Sequence, residues 1–165
     1  MSESGSVTTS LDSGRRLTET ERAAILGMGI ICRLGCLDDG GFPCVVPVWF
    51  QFADGGFYVV ARERSVWARY LERDGRVSLC IDGVPDQPNT RILVKGIAET
   101  RERPNIGGRW VEIAREMAVR YAGREKGLTY LEATLGEPRW LFFVRPLRVT
   151  DWVGGWARKY KHSDW

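Results

Sequence analysis

The feature that most constrains this chain is a period of two. From Ile30 onward, apolar residues alternate in short runs, and each run stops at a cluster of glycine, aspartate or proline. Ile30 to Leu37 reads as a strand closed by Asp38-Asp39-Gly40-Gly41. Phe42 to Ala53 is the next, with Cys44, Val46, Val48, Phe50 and Phe52 on one face and Val45, Pro47, Trp49 and Gln51 on the other. Asp54-Gly55-Gly56 is a turn, and Phe57 to Ala61 returns as a third strand. Arg76 to Asp82, Arg91 to Thr100 and Arg139 to Asp151 complete a set of six, the last interrupted by Pro146. Pro47 has no amide hydrogen to donate, so its strand is expected to be bulged or at an edge.

Helical spacing appears between these runs. Thr18 and Glu21 form a capping box that opens a helix ending near Gly27 and Gly29. A short helix from about Ser65 to Arg73 places Val66, Trp67, Tyr70 and Leu71 on one face. The longest, about Gly107 to Tyr121, carries Trp110, Ile113, Ala114, Met117, Ala118 and Tyr121 at helical intervals. A further short helix is expected around Leu128 to Leu135. Six strands with a few helices make an α+β chain with a largely antiparallel sheet, and closing such a sheet into a small barrel removes its exposed edges.

Composition narrows the function. The chain has 165 residues, enough for one domain with a real core. Its 24 basic and 21 acidic side chains are too balanced to argue for nucleic acid. No stretch approaches the roughly 20 apolar residues that span a bilayer. Residues 1–16, rich in Ser, Thr and Gly at their start, read as a disordered leader ahead of a domain over 17–165, and a cytoplasmic location is expected. Cys32, Cys36, Cys44 and Cys80 sit in apolar strand-like runs, where cysteine behaves as a small hydrophobe rather than a zinc ligand. The single histidine, His162, leaves little for serine–histidine or cysteine–histidine nucleophilic schemes. Gly107-Gly108 lacks the third glycine and the parallel-strand context of a dinucleotide fingerprint.

One constellation stands out. The strand Val46-Pro47-Val48-Trp49-Phe50 is followed by a turn, a strand, and then Ala61-Arg62-Glu63-Arg64-Ser65-Val66-Trp67 opening a helix. Arg73-Asp74-Gly75-Arg76-Val77-Ser78-Leu79 comes next. The tail carries Arg145-Pro146, Arg148-Val149-Thr150, Trp152, Gly154-Gly155-Trp156 and Lys159-Tyr160. In order and spacing, from about residue 18 to 161, this resembles the pyridoxamine-5′-phosphate-oxidase-like, FMN-binding split-barrel superfamily. The resemblance implies a six-stranded antiparallel split β-barrel with peripheral helices. It also implies a homodimer with a cofactor site at each subunit interface. The cofactor would be FMN or the deazaflavin coenzyme F-420, serving an oxidoreductase that acts on a small molecule. A flavin- or haem-binding protein of the same fold without turnover is the alternative.

The residues have a physical reading beside the resemblance. A helix start offers free amide hydrogens and the positive end of the dipole, so the Ser65 helix suits a phosphate. Ser65 can add a hydroxyl, and Arg62 and Arg64 can add charge-assisted bonds, next to Ala61 and Trp67. Backbone groups of Val46, Pro47, Val48 and Trp49 can meet the polar rim of a flat tricycle, and Trp49, Trp152 or Trp156 can cover its face. Lys159 and Tyr160 can reach a cofactor or substrate across a dimer. Two departures argue against a true pyridoxamine-phosphate oxidase. Such enzymes usually carry a basic residue where this chain has Val45, and an Arg-Lys pair after the serine where it has Val66-Trp67.

Overall fold

The computed structural model describes residues 14–154. In chain order the elements are α1 (Glu19–Leu26), β1 (Cys32–Leu37), β2 (Pro43–Val48), β3 (Gln51–Ala53), β4 (Gly56–Arg62), α2 (Val66–Arg73), β5 (Arg76–Asp82), β6 (Arg91–Asn105), α3 (Trp110–Ala122), α4 (Arg124–Thr134) and β7 (Arg139–Trp152). The strands form one antiparallel sheet in the order β2-β1-β5-β6-β7-β4-β3. Its two ends, β2 and β3, are joined through only Trp49 and Phe50. A sheet whose opposite edges are two residues apart in the chain must curl back on itself, so this is a barrel split at that link.

The expected strand from Phe42 to Ala53 is therefore two strands, and the sheet has seven among the described residues rather than six. Period two runs unbroken through the link, with Val48 and Phe50 both buried, so alternation alone could not reveal the bend. Pro47 lies on β2, a sheet edge, paired only with Arg33 of β1, where its missing donor costs nothing. Pro146 lies at a bulge. Lys95 faces Arg148 but Gly96 faces Pro146, leaving Leu147 as the extra residue. The later helices are displaced from expectation: α3 starts at Trp110, and α4 begins directly after Gly123, whose φ of 80° reverses the chain between them.

Two cores result. Inside the barrel lie Leu34, Phe50, Phe57, Val59, Leu79, Ile81, Ile92, Phe142 and Val144, all essentially inaccessible. On the outer face of β4 and β7, Tyr58, Leu141 and Phe143 pack against Trp110, Ile113, Met117 and Leu131 of α3 and α4. β7 is thus buried on both faces from Arg139 to Val144. The capping box of α1 forms as expected, with the Glu21 amide donating to Thr18 Oγ1 at 3.2 Å and the Thr18 amide donating to the Glu21 carboxylate at 2.8 Å. Asp151, at the far end of β7, accepts from the Leu17 amide at 3.1 Å and Arg22 Nε at 2.7 Å, which ties the α1 segment to the barrel. No helix among the described residues is long and apolar enough to cross a membrane.

The α3–α4 hairpin is packed to backbone contact. A β-carbon on Gly127 would lie 2.3 Å from the Ala118 carbonyl oxygen. Gly127→Ala must therefore push α4 off α3, an overpacking cost of about 1–3 kcal/mol. Thermal denaturation should show a melting temperature lower by several degrees, and an unchanged midpoint would contradict this packing.

Candidate functional site

The bend between β2 and β3 is built by α3. Tyr121 accepts a hydrogen bond from the Phe50 amide at 3.2 Å and donates one to the Ile30 carbonyl at 2.9 Å. Its ring lies flat against Trp49, centroids 4.9 Å apart and planes 11° apart. Arg120 donates to the Phe50 carbonyl at 3.2 Å and also bonds Gln51. Both backbone groups of Phe50, which the broken ladder would leave unmet, are thus satisfied from one helix end. Burial pushes the Tyr121 phenol above its ordinary pKa, which keeps it a neutral donor.

Beside this bend is a cavity of about 600 Å³, within the usual range for small-molecule sites. One wall is the end of β2 and the bend: Pro47, Val48 and Trp49. A second is the end of β4 and the start of α2: Val60, Ala61, Arg62, Ser65 and Trp67. The α3–α4 hairpin closes it with Met117, Lys126 and Tyr130, and Arg139 comes from β7. β4 reaches the cavity because its register on β7 sets Arg62 opposite Arg139, just past the pair of half-buried Val60 and buried Leu141.

The α2 start fits an anion. Ser65 is the N-cap residue, yet its hydroxyl makes no capping hydrogen bond, so the oxygen is uncommitted. Its backbone is already engaged, the amide with Arg62 and the carbonyl with Ala68, which fixes the turn. Arg62 is held at this corner by the Glu137 carboxylate at 3.0 Å and the Tyr130 hydroxyl at 3.2 Å. A free hydroxyl, the amides of a helix's first turn and a guanidinium are the donor set a phosphate takes.

Of the residues singled out from the sequence, Pro47, Val48, Trp49, Ala61, Arg62, Ser65 and Trp67 line this one cavity. Val46 does not; it is half-buried and packs on the barrel core. Arg64 is exposed and is not among the lining residues. Trp156 and Lys159 lie outside the described residues, as do Tyr160 and His162. Trp49 has one face covered by Tyr121 and meets Tyr130 edge-on at 6.0 Å, so part of its surface is used within the chain.

Sequence reasoning missed Tyr130, Arg139 and Lys126. Arg139 is only 6% exposed, with its guanidinium over the Trp110 ring at 5.3 Å and an amine donating to Thr134 Oγ1 at 2.7 Å. Burial raises the Tyr130 phenol, but hydrogen bonds from Arg62 and Arg139 outweigh it, and the pKa falls below the ordinary tyrosine value. The one available signal was an arginine heading the apolar run Trp140-Leu141-Phe142-Phe143-Val144, where a buried strand would want an apolar residue.

No family model and no curated protein matches the sequence. Solved structures do match. HutZ, titled a heme storage protein, from Vibrio cholerae is 21% identical with a TM-score of 0.65, over 86% of this chain and 98% of that one. A FAD-binding protein from Mesorhizobium loti is 20% identical with a TM-score of 0.60, over 86% and 99%. A protein titled F420 reductase is 17% identical with a TM-score of 0.59, over 77% and 94%. At such identities the likeness establishes the fold alone, an antiparallel split β-barrel.

Tyr121→Phe would leave the Phe50 amide and the Ile30 carbonyl without their partner. Each unmet buried group costs about 1–3 kcal/mol, so urea denaturation should show a loss in that range or above. A change under 0.5 kcal/mol would mean that the bend does not depend on this hydroxyl.

Proposed function

We propose that this chain is an oxidoreductase that holds a phosphate-bearing flavin-type cofactor, FMN or its deazaflavin relative F-420, in the cavity beside the barrel split. The carrying observation is the convergence on that cavity of the uncommitted Ser65 hydroxyl, the α2 amides and Arg62 with the apolar walls of Val48, Trp49 and Trp67. The shared fold with a FAD-binding protein and an F420 reductase supports the same reading. Ser65, Arg62 and the α2 amides would take the phosphate. Pro47, Val48 and Trp49 would flank the ring, and the α3–α4 hairpin would keep water from it. When bound, such a ring accepts or donates a hydride, a step that needs no ionisable side chain.

The chain would work as a homodimer. The outer sheet face of β1, β2, β5 and β6 carries a second cavity of about 520 Å³ whose lining includes Val45, Leu93 and Trp152. Val45 on β2 and Leu147 at the β7 bulge are 65% and 61% exposed, large apolar side chains left open to solvent on a lone barrel.

A second reading, a haem-binding protein, is favoured by the fold shared with HutZ. One titration separates the two. FMN or F-420 added to the purified protein should shift its absorption and quench its fluorescence. Ser65→Ala should weaken binding by about tenfold or more, the equivalent of a charged hydrogen bond. No response to either coenzyme, with a new Soret band on adding haemin, would replace the flavin reading with the haem one. Val45→Glu should convert a dimer to a monomer in sedimentation, and a wild-type monomer at micromolar concentration would remove the dimer.

A further inference from the structure

Arg62 and Arg139 are direct cross-strand partners on the face of β4 and β7 that looks onto α4. Like charges set opposite each other destabilise a sheet, and burial makes the repulsion worse. Glu137 answers Arg62, but among the described residues no carboxylate pairs with Arg139. Arg139 is more than nine-tenths buried, lines the cavity and has an Nε without a partner. A guanidinium carries five donors, and its neighbours here are a threonine hydroxyl, a tyrosine hydroxyl and the face of a tryptophan. None of them is an anion.

Tyr130 sharpens the picture. Arg62 donates to its phenol oxygen at 3.2 Å, and the positive charge of Arg139 lies close by. With a cation already on its oxygen, the hydroxyl still has its proton to offer, and Tyr130 lines the cavity. Lys126, one turn earlier on α4, lines the same wall. The cluster thus gathers three cations, one neutralising carboxylate and one hydroxyl polarised to donate. The rest of the cavity is apolar or aromatic, including Val48, Trp49, Met117 and Leu131.

We propose that Arg139 and Tyr130, with Lys126 beside them, form a carboxylate subsite, so that the substrate is a flat or apolar molecule bearing a carboxylate. This rests on reading the cavity as the site of a cofactor and its substrate. It assigns the two anions to different donors: the cofactor's phosphate to Ser65 and the α2 start, the substrate's carboxylate to the corner of β7 and α4. Arg suits the second role because its planar fork matches two carboxylate oxygens.

The test uses benzoate and its neutral isostere benzamide as probes, titrated into the full-length protein with and without FMN and read by tryptophan fluorescence. Benzoate should bind at least about tenfold more tightly than benzamide. Tyr130→Phe should weaken benzoate by about fivefold or more and leave benzamide unchanged. Arg139→Met should abolish the preference for benzoate. It should also leave the melting temperature of the ligand-free protein unchanged or raised, because it removes a buried charge that has no counter-ion. FMN affinity should stay within twofold in Arg139→Met. Equal binding of benzoate and benzamide to the wild type would overturn the subsite. So would a loss of FMN affinity in Arg139→Met, which would make the held anion the cofactor's own phosphate. If the wild type ignores FMN but prefers benzoate, the cofactor reading falls and the carboxylate subsite stands. Should Arg139→Met fail to fold, Tyr130→Phe decides the matter alone.

Discussion

The structure depends on how the chain turns between Val48 and Gln51. There a strand leaves one edge of the sheet and rejoins the other, and a ladder broken at that point exposes backbone groups inside the molecule. The Tyr121 hydroxyl and the Arg120 guanidinium, adjacent on the last turns of α3, satisfy both groups of Phe50, while the Tyr121 ring supports Trp49. A helix inserted between β6 and β7 in sequence thereby holds open the seam between β2 and β3. The cavity lies where it does because the seam needs a brace and the brace cannot fill the space it spans.

The same insertion changes what β7 must be. In a barrel with one wet face, the outward residues of β7 could be polar. Covered by α3 and α4, Leu141 and Phe143 become a second core, and the strand is buried on both faces. Only Arg139, at its start, keeps a charge in that setting. Its stem and guanidinium pack on Trp110, which offsets part of the desolvation, but a cation over an aromatic face is not a neutralised cation. The position is held by packing and left open by charge, a combination found at sites that bind rather than sites that merely support.

Much of the fold was legible because its strands keep period two and its turns carry glycine and aspartate. Asp54-Gly55 marked the β3–β4 hairpin, and the Thr18–Glu21 box marked α1. The division of Phe42–Ala53 was not legible, because residues 48, 50 and 52 stay in phase across the bend and the cause of the bend sits about seventy residues away on α3. The cavity divides the same way. Arg62, Ser65 and Trp67 are neighbours in sequence and could be read as a group. Tyr130 and Arg139 join them only through strand register and helix docking, and α4 is too weakly amphipathic to announce which way Tyr130 faces. A contact between positions 62 and 139 has no local signature.

The departures from a pyridoxamine-phosphate oxidase gain meaning from this geometry. Val45 is mostly exposed on the outer sheet face, with Arg33, Lys95 and Arg148 around the hollow it lines. A basic residue at Val45 would add a fourth cation there and leave the cavity beside the split unchanged. Val66 is also exposed, whereas Trp67 lines the cavity, so an apolar ring stands there in place of a basic side chain. The positive charge that does face the cavity comes from β4, β7 and α4 instead. Of these cations only Arg139 is buried; Arg62 is half-buried and Lys126 exposed, and the strand register sets Arg62 and Arg139 opposite each other. The cations that face the cavity are thus placed by the β4–β7 register and by the hairpin laid across it.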